Sequence, residues 1–423
     1  MTLVASPVKE ISSDPEISPR ASRLVIASTM IMFVGMLLGM KITGRFALSN
    51  VAQISGTVLL FLAFPRLLRP KDLVLLGLGL VSTAVAAAAV ALRYDYTASP
   101  YHIGYFLLAS LYLVGVYRAC RERSAGPAFG EGVRRAVPIC LVVLLVAGVL
   151  EIARGAPFPT LGFDDKSHGS VAACFLAFAA LRFLRGPQQI VVALALFGIA
   201  LITPSRLPFT FAPFLLLALV LAYRRVRRTA RAAWQVYLSH LVLASAFGVP
   251  VAVGLLAGDR FTAGLDRMLA DDGAAVASTE SHLDLILAGA QLKVENIWNM
   301  LFGITPGGFA SVLTASDIDL RLYRLPYTAI AEGTAPMHSS LGSILLEFPL
   351  WVAIGFVVVA VHAFSRLLHR RELTFASFFV ALIAATTFYS SHNELFFVMC
   401  LATVLVLAYC PERDLRRQAS PAG

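Results

Sequence analysis

The feature that most limits what this chain can fold into is a series of long, almost uncharged apolar runs. A helix needs about 20 mostly apolar residues to cross the hydrocarbon core of a bilayer, because each residue advances only ~1.5 Å. Runs of this kind fall near 24–40, 46–64, 73–92, 102–117, 136–153, 168–184, 188–203, 208–222, 235–257, 348–364, 374–390 and 394–409. They predict an all-α polytopic membrane protein of about 12 transmembrane helices. Pro204 and Pro208 divide one long apolar stretch into the seventh and eighth runs. The chain is 58% hydrophobic and 14% charged, whereas a soluble domain is roughly half apolar and about a quarter charged.

The charges that remain are ordered. The formal net charge is +10, which in a soluble chain would raise nucleic-acid binding. Here no basic helix or RNA-binding signature appears, and the cations sit between the apolar runs, so no nucleic-acid partner is expected. Of the 35 Lys and Arg residues, 24 lie on the side of the N-terminus and six in the short connections of the other side. The positive-inside rule then puts both termini in the cytoplasm. The first run follows a polar tail and no small-residue cleavage site follows it, so it reads as an uncleaved helix. The resulting division is a cytoplasmic tail 1–23, nine helices within 24–257, an outer loop 258–347, three helices within 348–409 and a cytoplasmic tail 410–423. The five cysteines, Cys120, Cys140, Cys174, Cys400 and Cys410, have no CxxC spacing and read as small core hydrophobes.

The loop 258–347, between the ninth and tenth helices, breaks the pattern of short connections. Loops of this length are usually functional or carry structure of their own. Phe261, Leu265, Met268 and Leu269 share one helical face, and Leu283, Leu287, Ala290, Val294, Ile297 and Trp298 form a second stripe. Such helices can lie on the outer membrane surface or cap a cavity. Gly303-Ile-Thr-Pro-Gly-Gly308 then forces a turn. A folded cap that only stabilises the bundle is the plainer reading.

Three groups of residues could carry chemistry, and the topology predicts one outer side for all of them. His338 lies at or just before the first turn of the tenth helix, where a helix N-terminus favours the neutral imidazole that can accept a proton. An interfacial His that caps a helix is the alternative. Arg206, in Thr203-Pro-Ser-Arg-Leu-Pro208, is a permanent charge on a very short turn and must face water, a partner or a cavity. Its paired donors suit a diphosphate, and snorkelling at a helix end is the alternative. Asp164, Asp165, Lys166 and His168 crowd the turn before the sixth helix. A solvated turn with an N-cap accounts for them as well as a metal site does. Of the remaining histidines only His282, in the outer loop, is given functional weight.

Taken together these segments resemble the O-antigen ligase and polymerase superfamily of bacterial surface-polysaccharide enzymes. Leu201-Ile-Thr-Pro-Ser-Arg206 looks like that family's Ser-Arg motif. Gly303 to Phe309 is similar to its Gly-rich segment. Met337-His-Ser-Ser-Leu341 with Leu346-Glu-Phe-Pro-Leu350 looks like its His-Asn-x-x-Leu and Glu-x-Gly-Leu signature, and the turn from Phe163 to His168 is similar to a further segment. The likeness covers about 160–365. Ser339 stands where the family has Asn, Pro349 where it has Gly, and Ser281-His282 near a usual Arg.

The resemblance implies a metal-independent membrane glycosyltransferase without a cofactor, at the periplasmic face of the bacterial inner membrane. Its donor would be an undecaprenyl-diphosphate-linked oligosaccharide, with a flippase and a chain-length regulator as partners. Arg206 and His338 carry over as catalytic residues. Lys166, His168, His282, Arg321 and Arg324 stand as substrate-binding candidates, the two arginines by proximity in sequence only. A polysaccharide polymerase is the first expectation. A ligase that moves a finished glycan to lipid A core or protein shares every motif. A secondary transporter or lipid-linked oligosaccharide flippase is the reading from another class, against which stand the lack of a two-half repeat and the lopsided outer loop.

Overall fold

The structure is a computed structural model, and it describes residues 17–39, 41–43, 46–156, 159–163, 165–203, 205, 207–229, 274–323, 337, 339–387, 389 and 394–411. The apolar run 235–257, the face Phe261 to Leu269 and most of both tails lie outside the described residues. What is described is almost wholly helical. In chain order it comprises α1 (Pro19–Gly35), a short antiparallel hairpin of β1 (Lys41–Thr43) and β2 (Phe46–Ala47), then α2 (Leu48–Ala63), α3 (Pro70–Tyr94), α4 (Pro100–Glu122), α5 (Gly126–Ala153), α6 (Lys166–Phe183), α7 (Gln188–Ile202) and α8 (Leu207–Thr229). After 274 follow α9 (Ala274–Val294), α10 (Ile297–Phe302), α11 (Phe309–Ala315), a single 3-10 turn at Leu320–Leu322, α12 (Ser340–Glu347), α13 (Leu350–His369), α14 (Leu373–Thr387) and α15 (Leu395–Tyr409).

Local chemistry sets where these helices start. Pro19, Pro70 and Pro100 each open a helix, where the missing N–H has no partner to lose. Ser18 accepts from Ala21 N at 3.2 Å, and Asp72 accepts from Arg69 N at 2.9 Å. The eighth run extends past 222, because α8 continues to Thr229 with Pro213 inside it. The tenth run begins later than 348. Phe348 and Pro349 separate α12 from α13, since the residue before a proline leaves the helical region.

Five helices, α3, α4, α5, α8 and α13, are long and apolar enough to cross a membrane, and α2, α6, α7, α14 and α15 are shorter apolar helices. Their burial is inside out relative to a soluble protein. Leu73, Val74, Val81 and Leu92 on α3, Val142 and Val149 on α5, and Val358 and Val361 on α13 are more than half exposed. Apolar faces of that extent on several neighbouring helices need lipid rather than water against them. The chain is a helical, multi-pass integral membrane protein.

The centre of the bundle is α6. Every residue from Val171 to Leu181 is fully buried, as expected of a helix apolar on all sides. Its alanines let α7 and α5 approach closely. The same device joins α1 to α2, where Gly35 meets Ala52 so closely that a side chain at 35 has no room. All five cysteines are buried.

A second, smaller core lies beside the bundle. Leu285, Ala288 and Leu292 of α9 pack with Ile304, Val312, Leu313, Met337 and the α3 residues Val90 and Tyr94. Tyr94 donates to Glu295 at 2.8 Å, and Asn299 donates to the Tyr94 oxygen at 2.9 Å, which ties the end of α3 to the α9–α10 junction. The stripe Leu283, Leu287, Val294, Ile297 and Trp298 is present but faces outward, each residue about half exposed or more. The loop helix therefore has two apolar faces, one on the second core and one free to meet the membrane surface.

The two ends of the bundle differ in charge. At one end arginines are bound into the helix ends. Arg118 (α4) pairs with Asp72 (α3), Arg182 (α6) with Glu372 at the start of α14, and Arg366 and Arg370 (α13) donate to carbonyls at the end of α15. The motif segments meet at the other end.

Candidate functional site

Four turns converge where α5, α7 and α14 end and α6, α8, α12 and α15 begin. Asp165 caps α6 by accepting from Ser167 N at 2.5 Å. That cap fixes the first turn of α6, which carries His168. The His168 Nδ1 atom lies 3.6 Å from Glu394 Oε1, just before α15, and its ring stacks edge-on against Tyr389 with centroids 5.2 Å apart. The imidazole is 18% exposed, so it is mostly covered yet still reachable.

The α7–α8 turn comes to the same place. Ser205 Oγ is 3.5 Å from Ser167 Oγ, one residue before His168. The third turn enters from the outer loop. Ser339 caps α12 by accepting from Gly342 N at 2.9 Å, and its own hydroxyl donates to Thr386 O at 3.5 Å. Ser340 donates to Tyr389 O from both its amide and its hydroxyl, each at 3.0 Å. The chain on one flank of residue 338 is thereby pinned to the end of α14. On the other flank Met337 is buried in the second core against Gly289 of α9.

Arg206 and His338 themselves, with Asp164 and Arg324, lie outside the described residues. Their immediate neighbours, Ser205 on one side and Met337 and Ser339 on the other, are the residues that the contacts above hold. Lys166 opens α6. His282 is half-buried on α9. Arg321 is exposed in the 3-10 turn, and among the described residues no hydrogen bond or ion pair joins its guanidinium to the cluster around His168. The described residues hold no group of three or more His, Cys, Asp or Glu spaced to bind a metal ion.

Sequence reasoning missed three members of this end. Glu394 and Tyr389 flank His168. Glu151, near the end of α5, accepts from the amides of Thr160, Leu161 and Gly162 at 2.5, 3.0 and 2.7 Å, and from the Thr160 hydroxyl at 3.1 Å. It thus folds the turn that leads into α6. The available signal was an acidic residue at the rim of an apolar run, on the side already assigned to His168. Glu151→Ala is expected to cost on the order of 2 kcal/mol, as for a charge-assisted hydrogen-bond set. A thermal melt of the purified protein in detergent measures this, and an unchanged midpoint would mean the carboxylate is dispensable.

The Gly-rich segment serves the other flank. Gly303 has φ +80° and lies against the carbonyl of Glu347, so only glycine fits both the backbone angle and the space. Ile304 N donates to Leu346 O at 3.3 Å and Gly307 N to Glu347 Oε2 at 3.0 Å. Lys293 at the end of α9 donates to the carbonyls of Leu346 and Phe348 at 3.3 and 3.1 Å, a cation at the C-terminus of α12. Burial pulls its ammonium down to about 8, so it is still charged at neutral pH. Two segments far apart in sequence, 303–307 and 346–348, are therefore one built unit. The buried phenol oxygens with no hydrogen-bond partner among the described residues include Tyr105 Oη and Tyr389 Oη.

Compared with protein-family models and with curated proteins, the chain has no match in either.

Proposed function

We propose that this chain is a polysaccharide polymerase, which transfers a glycan from an undecaprenyl-diphosphate-linked donor to an acceptor hydroxyl of a lipid-linked repeat unit. The observation that carries the reading is the convergence of three motif-bearing turns, those before α6, α8 and α12, with the turn before α15 at the bundle end opposite the arginine-rich one. In the topology that goes with it, about 12 helices cross the bacterial inner membrane, both termini are cytoplasmic and this end is periplasmic. The exposed stripe of α9 and α10 then rests on the outer leaflet.

The chemistry requires a base, an electrostatic partner for the leaving group and contacts to sugar. His338, set between Met337 and Ser339, takes the proton as the acceptor oxygen attacks the anomeric carbon. The bond from that carbon to the diphosphate oxygen breaks, and the lipid diphosphate leaves with the electron pair. Arg206, next to Ser205, meets the charge that develops on it with paired donors. His168, braced by Glu394, and the Tyr389 hydroxyl, which has no partner among the described residues, supply polar contacts for the glycan. Lys166, at the start of α6, and His282, on α9, are the further candidates for sugar contacts. A diphosphate is already a good leaving group, so the residues present suffice for the transfer. The polyprenyl chain of the donor requires a site that opens sideways to the bilayer.

A strain deleted for this chain is expected to lose long polymer and accumulate single lipid-linked repeats, read by gel analysis of the lipid-linked pool. Persistent long polymer on its carrier would instead identify a ligase. Normal polymer on its final acceptor would end both enzyme readings. Purified protein that consumes lipid-linked donor in detergent, without a sealed membrane, argues against a pure transporter or flippase.

A further inference from the structure

A trough of about 440 Å³ runs between α4, α13 and α15, away from the site above. Its volume falls within the range of small-molecule sites, ~300–1,000 Å³. Gly355, Ala360 and Ala363 on α13 leave the space, and Leu113 of α4 with Leu401 and Leu405 of α15 line it. An added Cβ at Gly355 would touch nothing within 4 Å. From Val352 to Ala363 the trough follows α13 for about 16 Å at ~1.5 Å per residue, which matches one leaflet of a ~30 Å hydrocarbon core.

Its two ends are unlike. The Val352 end is apolar. At the other end Tyr117 and Tyr409 meet edge to face, 5.2 Å between centroids, and His362 stacks on Tyr409 at 5.6 Å. Arg121 lies over the Tyr117 ring at 5.6 Å and donates to its hydroxyl. Arg366 donates to Ala408 O at 3.4 Å, and both arginines act electrostatically on Tyr409. An apolar slot one leaflet long that ends in two guanidinium groups and two phenols has the polarity of a single anionic lipid. A zwitterionic lipid brings its own cation beside the phosphate, so it balances the two arginines less well than a lipid of net negative charge.

We propose that this trough binds one anionic glycerophospholipid of the arginine-side leaflet, an acyl chain lying along Gly355 and Ala360 and the phosphate on Arg121 and Arg366. The lipid fills the trough between these three helices, so it belongs to the folded state rather than to the bulk bilayer. The proposal does not depend on the glycan chemistry.

Native mass spectrometry of the full chain in detergent tests it, with phosphatidylglycerol and phosphatidylcholine of the same acyl chains as probes. One phosphatidylglycerol per chain is expected to survive conditions that strip the rest. Gly355→Phe and Ala360→Phe, which fill the trough, should each reduce its retention to background. Arg121→Gln, at an exposed side chain, should lower the preference over phosphatidylcholine about fivefold, the weight of one basic residue at a membrane surface. Equal retention of both lipids, retention of a polyprenyl phosphate instead, or undiminished binding in the filled variants would each overturn the proposal. If one filled variant does not fold, the other and Arg121→Gln still decide.

Discussion

His338→Ala is expected to insert and accumulate like wild type and to make no long polymer in a deletion strain. A positioned general base contributes about 10²–10⁴-fold to a proton-transfer step, which for a repeated transfer removes all but the shortest products. The hydroxyls of Ser339 and Ser340, next in the chain, are already used on the end of α14. Arg206→Ala should fail as completely, since losing one donor to a developing anion costs on the order of 10²–10³ in rate. Arg206→Lys should also be impaired, because a lysine offers a point charge where paired donors are needed. Polymer length and quantity on a gel are the readout, with membrane abundance of each variant measured alongside. Wild-type polymer from His338→Ala would remove that residue from the mechanism and leave the cluster around His168 as the place to look.

The largest stability effect is expected at the opposite end of the bundle, from Arg118→Met. The Arg118 guanidinium reaches both Asp72 oxygens, at 3.0 and 2.7 Å, and also binds Glu122, which Arg69 holds from outside at 2.8 Å. The Arg118 and Asp72 side chains are 8% and 9% exposed. Removing the cation leaves two carboxylates close together with little water, a change that costs about 3–5 kcal/mol when a buried pair is broken. A thermal midpoint in detergent should fall by several degrees. Arg118→Met combined with Asp72→Leu should recover part of the loss, because the orphaned charge goes too. Arg118→Lys should fall in between, keeping the charge but not the fork geometry. A single Arg118→Met variant as stable as wild type would show that water compensates the carboxylates.

The helices were legible in the sequence because a bilayer demands continuous apolar runs, and prolines at 19, 70 and 100 mark where several begin. Which helix sits at the centre was not legible. The α6 run is no more apolar than its neighbours, and its central place follows from Ala172, Ala173, Ala177, Ala179 and Ala180, which permit approach without announcing it. On α9 the stripe Leu283, Leu287 and Val294 is exposed, in keeping with a helix on the membrane surface, while a second face that the stripe did not reveal, Leu285, Ala288 and Leu292, is the one buried. When two faces of one helix are apolar, periodicity cannot choose between them.

At the candidate site, the residue types that carry chemistry were visible, while the groups that aim them were not. Glu394 reaches His168 across most of the chain, so no local spacing links them. Glu151 folds a turn by accepting from backbone amides, whose positions no side-chain pattern reveals. The pairing of 303–307 with 346–348 rests on a glycine backbone angle and a carbonyl contact, and the sequence shows only that the glycines are there.

The segment through residues 337–339 has its ends clamped to different bodies: Met337 to the second core, Ser339 and Ser340 to the end of α14. The two flanks of residue 338 thus belong to two separately packed parts, and the alignment of those parts sets how the flanks stand to each other, like the jaws of a vice. A loosening anywhere in the smaller part, even at Tyr94 or Asn299, would shift Met337 relative to Ser339 and Ser340. Lesions in the loop helices should then mimic lesions at residue 338, and any partner that grips those helices gains a handle on the rate.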